Sequence, residues 1–167
     1  MAPQNTPFPR FEQRRQEAAA EGWLPLDLGG HEVVSRLHMR LRPGPQAVGE
    51  GRHALDRLEG SISDEQLSEL RLLVTELVTN SVRHGAPPDS WITLDVEIYT
   101  NAVRVAVTDP GPGFERPETP EPHRDRPGGW GLCLVDRLSD RWGVDGGETT
   151  SVWFEVDRSA RTFATAA

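Results

Sequence analysis

The stretch ELVTNSVRHG (residues 76–85) closes a long run of helical periodicity and carries two polar side chains four residues apart. Each helical residue turns by about 100°, so Glu76 and Asn80 project within about 40° of one another. The helix runs through DEQLSELRLLVTELVTNSVRHG (residues 64–85), with an inner stripe of Leu67, Leu70, Val74, Leu77 and Ser81. Ser63 stands before this run as an N-cap, and Gln66 occupies the capping-box position three residues later. Gly85, followed by Ala86 and two prolines, marks the end of the helix. Glu76 and Asn80 therefore border the buried face, a position that suits either a solvated flank or the wall of a cleft.

Working outward, VVSRLHMRLRP (residues 33–43) alternates in part and reads as a first strand. GPQAVGEGRHALDRLEG (residues 44–60) reads as a short helix weakened by Gly49 and Gly51. After the long helix, WITLDVEIY (residues 91–99) and AVRVAVTD (residues 102–109) alternate with period two, and the turn between them makes an antiparallel hairpin. Residues 110–129 are too rich in proline and charge for a regular element. WGLCLVDRLSDRWG (residues 130–143) reads as a short helix and TTSVWFEVD (residues 149–157) as a last strand, with Trp153 and Phe154 expected in the core. This order fits an α+β two-layer sandwich with helices on one face of a mixed, mostly antiparallel sheet. Residues 1–32 read as a flexible N-terminal extension, residues 33–157 as the domain, and residues 158–167 as a frayed tail.

Composition narrows the functional classes. A chain of 167 residues supports one sizeable core. Its net charge of -8 opposes direct binding to nucleic acid or to an anionic membrane surface. No apolar run approaches about 18 residues and no signal-peptide core opens the chain, so a cytoplasmic location is expected. The single cysteine, Cys133, lies in GLCLV and reads as a small packed hydrophobe. The five histidines lack metal-ligand spacing. All 18 Lys-plus-Arg residues are arginine. A P-loop and a eukaryote-type protein kinase both require a lysine on the phosphates, so both are excluded.

Three further motifs bear on chemistry. In VTDPGPGF (residues 107–114) a strand ends in Asp109, a carboxylate able to accept from an exocyclic amine, and Gly111 and Gly113 permit close backbone approach. A plain Asp/Pro/Gly turn would have the same composition. In GGWGL (residues 128–132) glycines precede a helix whose first N–H groups form a general phosphate site, although loop flexibility alone accounts for glycines there. Thr149, Thr150 and Ser151 place three hydroxyls at the start of the last strand.

Taken in this order, the motifs resemble those of GHKL-type ATPase domains, the Bergerat fold, and most closely the bacterial anti-sigma-factor serine kinases and their regulator relatives. ELVTNSVRHG resembles the N-box, DPGPG and GGWGL the two glycine boxes, and TTSVWFEV the closing strand, over roughly residues 35–157. The resemblance implies ATP and Mg²⁺ as cofactors, with Asn80 as the metal ligand and Glu76 as the general base. It implies that Asp109 reads the adenine amino group, with Gly111 and Gly113 beside the base and one hydroxyl of Thr149, Thr150 or Ser151 supporting the contact. Gly129, Gly131 and Leu132 would cap the phosphates, and His84, in the N-box with Asn80, would belong to the nucleotide-binding residues. Residues 114–128 would form the lid, with Arg124 and Arg126 as candidates for the γ-phosphate. The implied partners are a sigma factor and an anti-anti-sigma protein of the STAS type, and dimerisation is common among the relatives. The implied activity is phosphorylation of that partner; the alternative is a non-catalytic, ATP-gated protein-binding module.

Overall fold

A computed structural model of the chain describes residues 33–115, 117 and 130–158. The expected N-terminal extension, Arg124, Arg126, Gly129, nearly all of the lid and residues 159–167 lie outside the described residues.

The described residues form five strands and three helices: β1 Val33–Leu41, α1 Pro45–Ala54, α2 Asp64–Asn80, β2 Ile92–Tyr99, β3 Ala102–Asp109, α3 Gly131–Leu138, β4 Arg141–Asp145 and β5 Thr150–Asp157. A 3₁₀ turn, Leu55–Leu58, follows α1, and a π turn, Ser81–Gly85, follows α2. The sheet order is β1-β2-β3-β5-β4 and every pairing is antiparallel. The fold is the expected α+β sandwich.

Period-two alternation gives the sheet two different faces. Ile92, Leu94, Val96 and Ile98 of β2, Val103, Val105 and Val107 of β3, and Phe154 and Val156 of β5 face the helices in one apolar core. The α2 stripe of Leu67, Leu70, Val74 and Leu77, with Leu73 and Val78, is buried against them. Each such side chain contributes about 1.5–3 kcal/mol through removal from water. Gly51 of α1 is buried, and a Cβ there would make ordinary contact with Val78, Leu41 and Val74 at 3.4–3.5 Å.

The outer face carries a row of alternating charge across all five strands. Arg36, Glu97, Arg104, Glu155 and Arg141 are successive register partners. Arg36 Nε lies 3.1 Å from Glu97, Arg104 2.6 Å from Glu155, and Arg141 Nε 2.8 Å from the other Glu155 oxygen. Those bonds to Glu155 hold the Arg141 guanidinium pKa above its ordinary value. Trp153 belongs to this face, not to the helix-side core with Phe154. It is buried over Gly143, where a Cβ would lie 2.6 Å from the indole, with the Arg104 guanidinium 4.3 Å above the ring.

Three sequence expectations change in detail. Ser63 caps α2 by accepting from the Gln66 N–H at 3.2 Å, but the Gln66 side chain donates to the Asp157 carbonyl at 2.8 Å instead of closing a capping box. The helix expected over residues 130–143 ends at Leu138, and Arg141–Asp145 is strand β4. Arg158, assigned to the frayed tail, donates to the carbonyls of Tyr99 at 2.7 Å and Ser61 at 2.6 Å.

Candidate functional site

The site is built where the C-terminal end of α2 meets the end of β3, the start of β5 and the start of α3. Asp109 is the last residue of β3 and is directly opposite Thr150, the first of β5. Both share parity with the core-facing residues of their strands, so both side chains point toward the helix layer. Asp109 is 7 % exposed, deep burial for a carboxylate.

A backbone cradle surrounds that carboxylate. Its Oδ1 accepts the Gly111 N–H at 2.8 Å, and the Thr150 hydroxyl donates to the Gly111 carbonyl at 3.0 Å. A Cβ on Gly111 would lie 2.7 Å from Asp109 Oδ1 and 2.7 Å from the Gly85 Cα. A Cβ on Gly85 would run into the carboxylate itself. Gly113 has φ +81°, a left-handed conformation that L side chains rarely adopt, and it sits beside the Thr150 hydroxyl.

Gly85 ends the helical segment as read in the sequence, though not as a left-handed cap. The helix ends in a π turn, with the Ala86 N–H donating to the Ser81 carbonyl at 2.8 Å, and Gly85 is not left-handed. Its missing side chain makes room for Asp109. Sequence reasoning did not include Gly85 among the site residues; the glycine five positions after Asn80 was the available signal.

One helical stretch upstream, Glu76 and Asn80 are both half-buried. Gly131 at the start of α3 packs against them: a Cβ there would lie 2.8 Å from Asn80 Nδ2 and 3.4 Å from Glu76 Oε2. The pair is therefore packed beside α3 and is not a fully solvated flank. Helix α3 begins without a side-chain cap and has no acidic residue in its first turn, and the Glu76 carboxylate lies beside its positive end. The nine-residue rise from Glu76 to Gly85 is about 13 Å, comparable to the extent of a nucleoside triphosphate.

The remaining expected residues divide. Thr150 is the hydroxyl brought to Asp109. Ser151 is placed on the opposite face of the sheet, where it accepts from the Thr108 hydroxyl at 3.0 Å, because successive strand residues alternate. Thr149 precedes β5 and is half-buried. Leu132 packs against the core, so only its backbone faces the α3 start. His84 is exposed in the π turn. The Asp109 cradle could take a purine amine, and Asn80 and Glu76 beside the start of α3 could hold a metal-bound polyphosphate.

A family model of the histidine kinase-like ATPase domain matches residues 41–155. The chain is 30% identical over 119 residues to the serine-protein kinase RsbW of Listeria innocua, covering 63% of this chain and 76% of that protein. It is 27% identical over 118 residues to RsbW of Oceanobacillus iheyensis, covering 62% of this chain and 75% of that protein. Among solved structures, the RsbU and RsbW domains of a Mycobacterium tuberculosis protein align with TM-score 0.57 and 20% identity, covering 77% of this chain and 34% of the other. A blue-light activated histidine kinase of Erythrobacter litoralis aligns with TM-score 0.51 and 21% identity, covering 71% and 43%. At these identities the structural likeness concerns the fold; this chain spans about a third of the mycobacterial structure.

Proposed function

The chain belongs to the histidine kinase-like ATPase family, and from that premise we propose that it is an ATP-dependent protein serine kinase and anti-sigma factor. It phosphorylates an anti-anti-sigma protein of the STAS type and thereby regulates how much sigma factor it holds. The observation that carries this reading is that α2 and the π turn after it reach two groups of polar residues: Gly85 leaves room for the Asp109 carboxylate, and Glu76 and Asn80 meet the start of α3 at Gly131.

In this reading Asp109 accepts from the adenine amino group, held in place by the Gly111 N–H and, through the Gly111 carbonyl, by Thr150. The α3 amides face the phosphates. Asn80 would hold Mg²⁺ through its carboxamide oxygen, and the ion would neutralise phosphate charge. Glu76 orients the serine hydroxyl of the partner and accepts its proton as the new oxygen–phosphorus bond forms and the bond to the departing ADP oxygen breaks. The rest of the work is positioning, which phosphoryl transfer chiefly requires.

The test is transfer of labelled γ-phosphate from ATP to candidate anti-anti-sigma proteins, for the native chain and for Glu76→Gln. The substitution is expected to lower transfer by about 10²–10⁴-fold, the usual size of general-base catalysis, while ATP binding persists. Tight ATP binding by the native chain with no transfer to any candidate would overturn the kinase reading in favour of an ATP-gated binding module.

A further inference from the structure

Strand β1 is a sheet edge among the described residues, with β2 on one side only. Its core-facing residues are Leu37, Met39 and Leu41. Its outer face presents Arg36, His38 and Arg40 in succession, and Arg42 continues the row just past the strand. No acidic residue occurs from Val33 to Leu41, in a protein whose net charge is -8.

The first two of these groups have carboxylates opposite them on β2. Arg36 is in register with Glu97 and 3.1 Å from it; His38 is in register with Asp95 and 2.6 Å from it. The pattern then stops. Arg40 is in register with Thr93, and neither Arg40 nor Arg42 has an ion-pair partner among the described residues. Both guanidinium groups are instead held over the same indole, Trp91, at 4.3 and 3.9 Å from its centroid. Stacking fixes the two cations and leaves their in-plane N–H donors available. Immediately beyond them α1 starts at Pro45 with no side-chain cap and no acidic residue in its first turn, which adds positive potential.

We propose that the open edge of β1 is a docking site for an acidic polypeptide segment. The segment lies alongside β1 as an added strand and presents two carboxylates, two residues apart, to Arg40 and Arg42. Side chains two apart on one face of a strand are about 6.6–6.8 Å apart, so an added strand has the pitch of this pair. The main-chain groups of β1 that face no strand among the described residues bind a strand and have no such use for a nucleic-acid backbone. The strongly acidic remainder of the surface also repels a polyanion while tolerating a short segment. This inference does not depend on ATP binding.

The test is an NMR titration of the full ¹⁵N-labelled chain with a blocked hexapeptide, TEVEVT. Controls are TKVKVT and a thymidine oligonucleotide. Amide shifts along β1 and at the Trp91 indole are expected with TEVEVT alone. Affinity should fall at least tenfold in the double variant R40A/R42A and less in R40K/R42K, which retains charge but not the planar fork. R42A alone should show an intermediate loss and supplies the comparison if the double variant folds poorly. D109N should respond like the native chain, which separates this site from the nucleotide site. Absence of shifts, shifts away from β1, equal binding of TKVKVT, or stronger displacement of β1 signals by the oligonucleotide would overturn the proposal.

Discussion

Gly85 and Asp109 occupy adjoining space: a single methyl group on the glycine would run into the aspartate carboxylate. The end of α2 and the end of β3 thereby determine each other, and the carboxylate is aimed by the absence of an atom on a neighbouring element. Gly85→Ala should turn Asp109 out of its cradle. ATP affinity measured by isothermal titration is expected to fall about tenfold to a hundredfold, the consequence of losing one charged hydrogen bond of about 1.5–3 kcal/mol. Unchanged affinity would show that Asp109 does not read the nucleotide.

Thr150 reaches the same cradle from β5 through the Gly111 carbonyl. Thr150→Val keeps the shape and removes the donor, leaving a buried carbonyl short of a partner at a cost of about 1–3 kcal/mol. The thermal midpoint should drop by roughly 3–5 °C per kcal/mol lost for a domain of this size, and ATP affinity should fall with it. Thr150→Ser should restore both. Ser151→Ala, on the other face, should leave ATP affinity unchanged, and calorimetry on the three variants separates the two hydroxyls.

Glu155 is 4 % exposed and lies between Arg104 and Arg141. Glu155→Gln removes the charge that both arginines face. Losing one member of a fully buried pair costs about 3–5 kcal/mol; here solvent reaches Arg141, so about 2–3 kcal/mol is expected. The urea midpoint should move down accordingly, with ATP affinity per folded molecule unaltered. A loss below about 0.5 kcal/mol would place this row of charges with ordinary surface pairs.

The parts of this architecture that depend on local periodicity were legible in the sequence. The stripe of α2 and the alternation of β2, β3 and β5 each repeat at the period of their element, and all four fall where expected. Glu76 and Asn80 could be placed at the border of the buried face for the same reason. What escaped depended on contacts between distant segments. Strand β4 contains Gly143, a weak strand former, and the reason for the glycine is Trp153 across the pair. Trp153 itself looked like core, because its burial comes from Arg104 and Gly143 on the outer face. The choice among three successive hydroxyls required the register of β3 on β5, which puts Thr150 opposite Asp109 and turns Ser151 away.

The seat of Asp109 has a thermodynamic consequence. It is assembled from Gly85, Gly111 and Thr150, which come together only when α2, β3 and β5 are docked. A disordered chain holds none of the seat, so any ligand it accepts binds the native state alone. Occupancy and folding are then one linked equilibrium, and a ligand at a hundred times its dissociation constant adds about 2.7 kcal/mol to the stability of the fold. If the proposed nucleotide site is filled, nucleotide level would act on this protein as a folding cosolute as well.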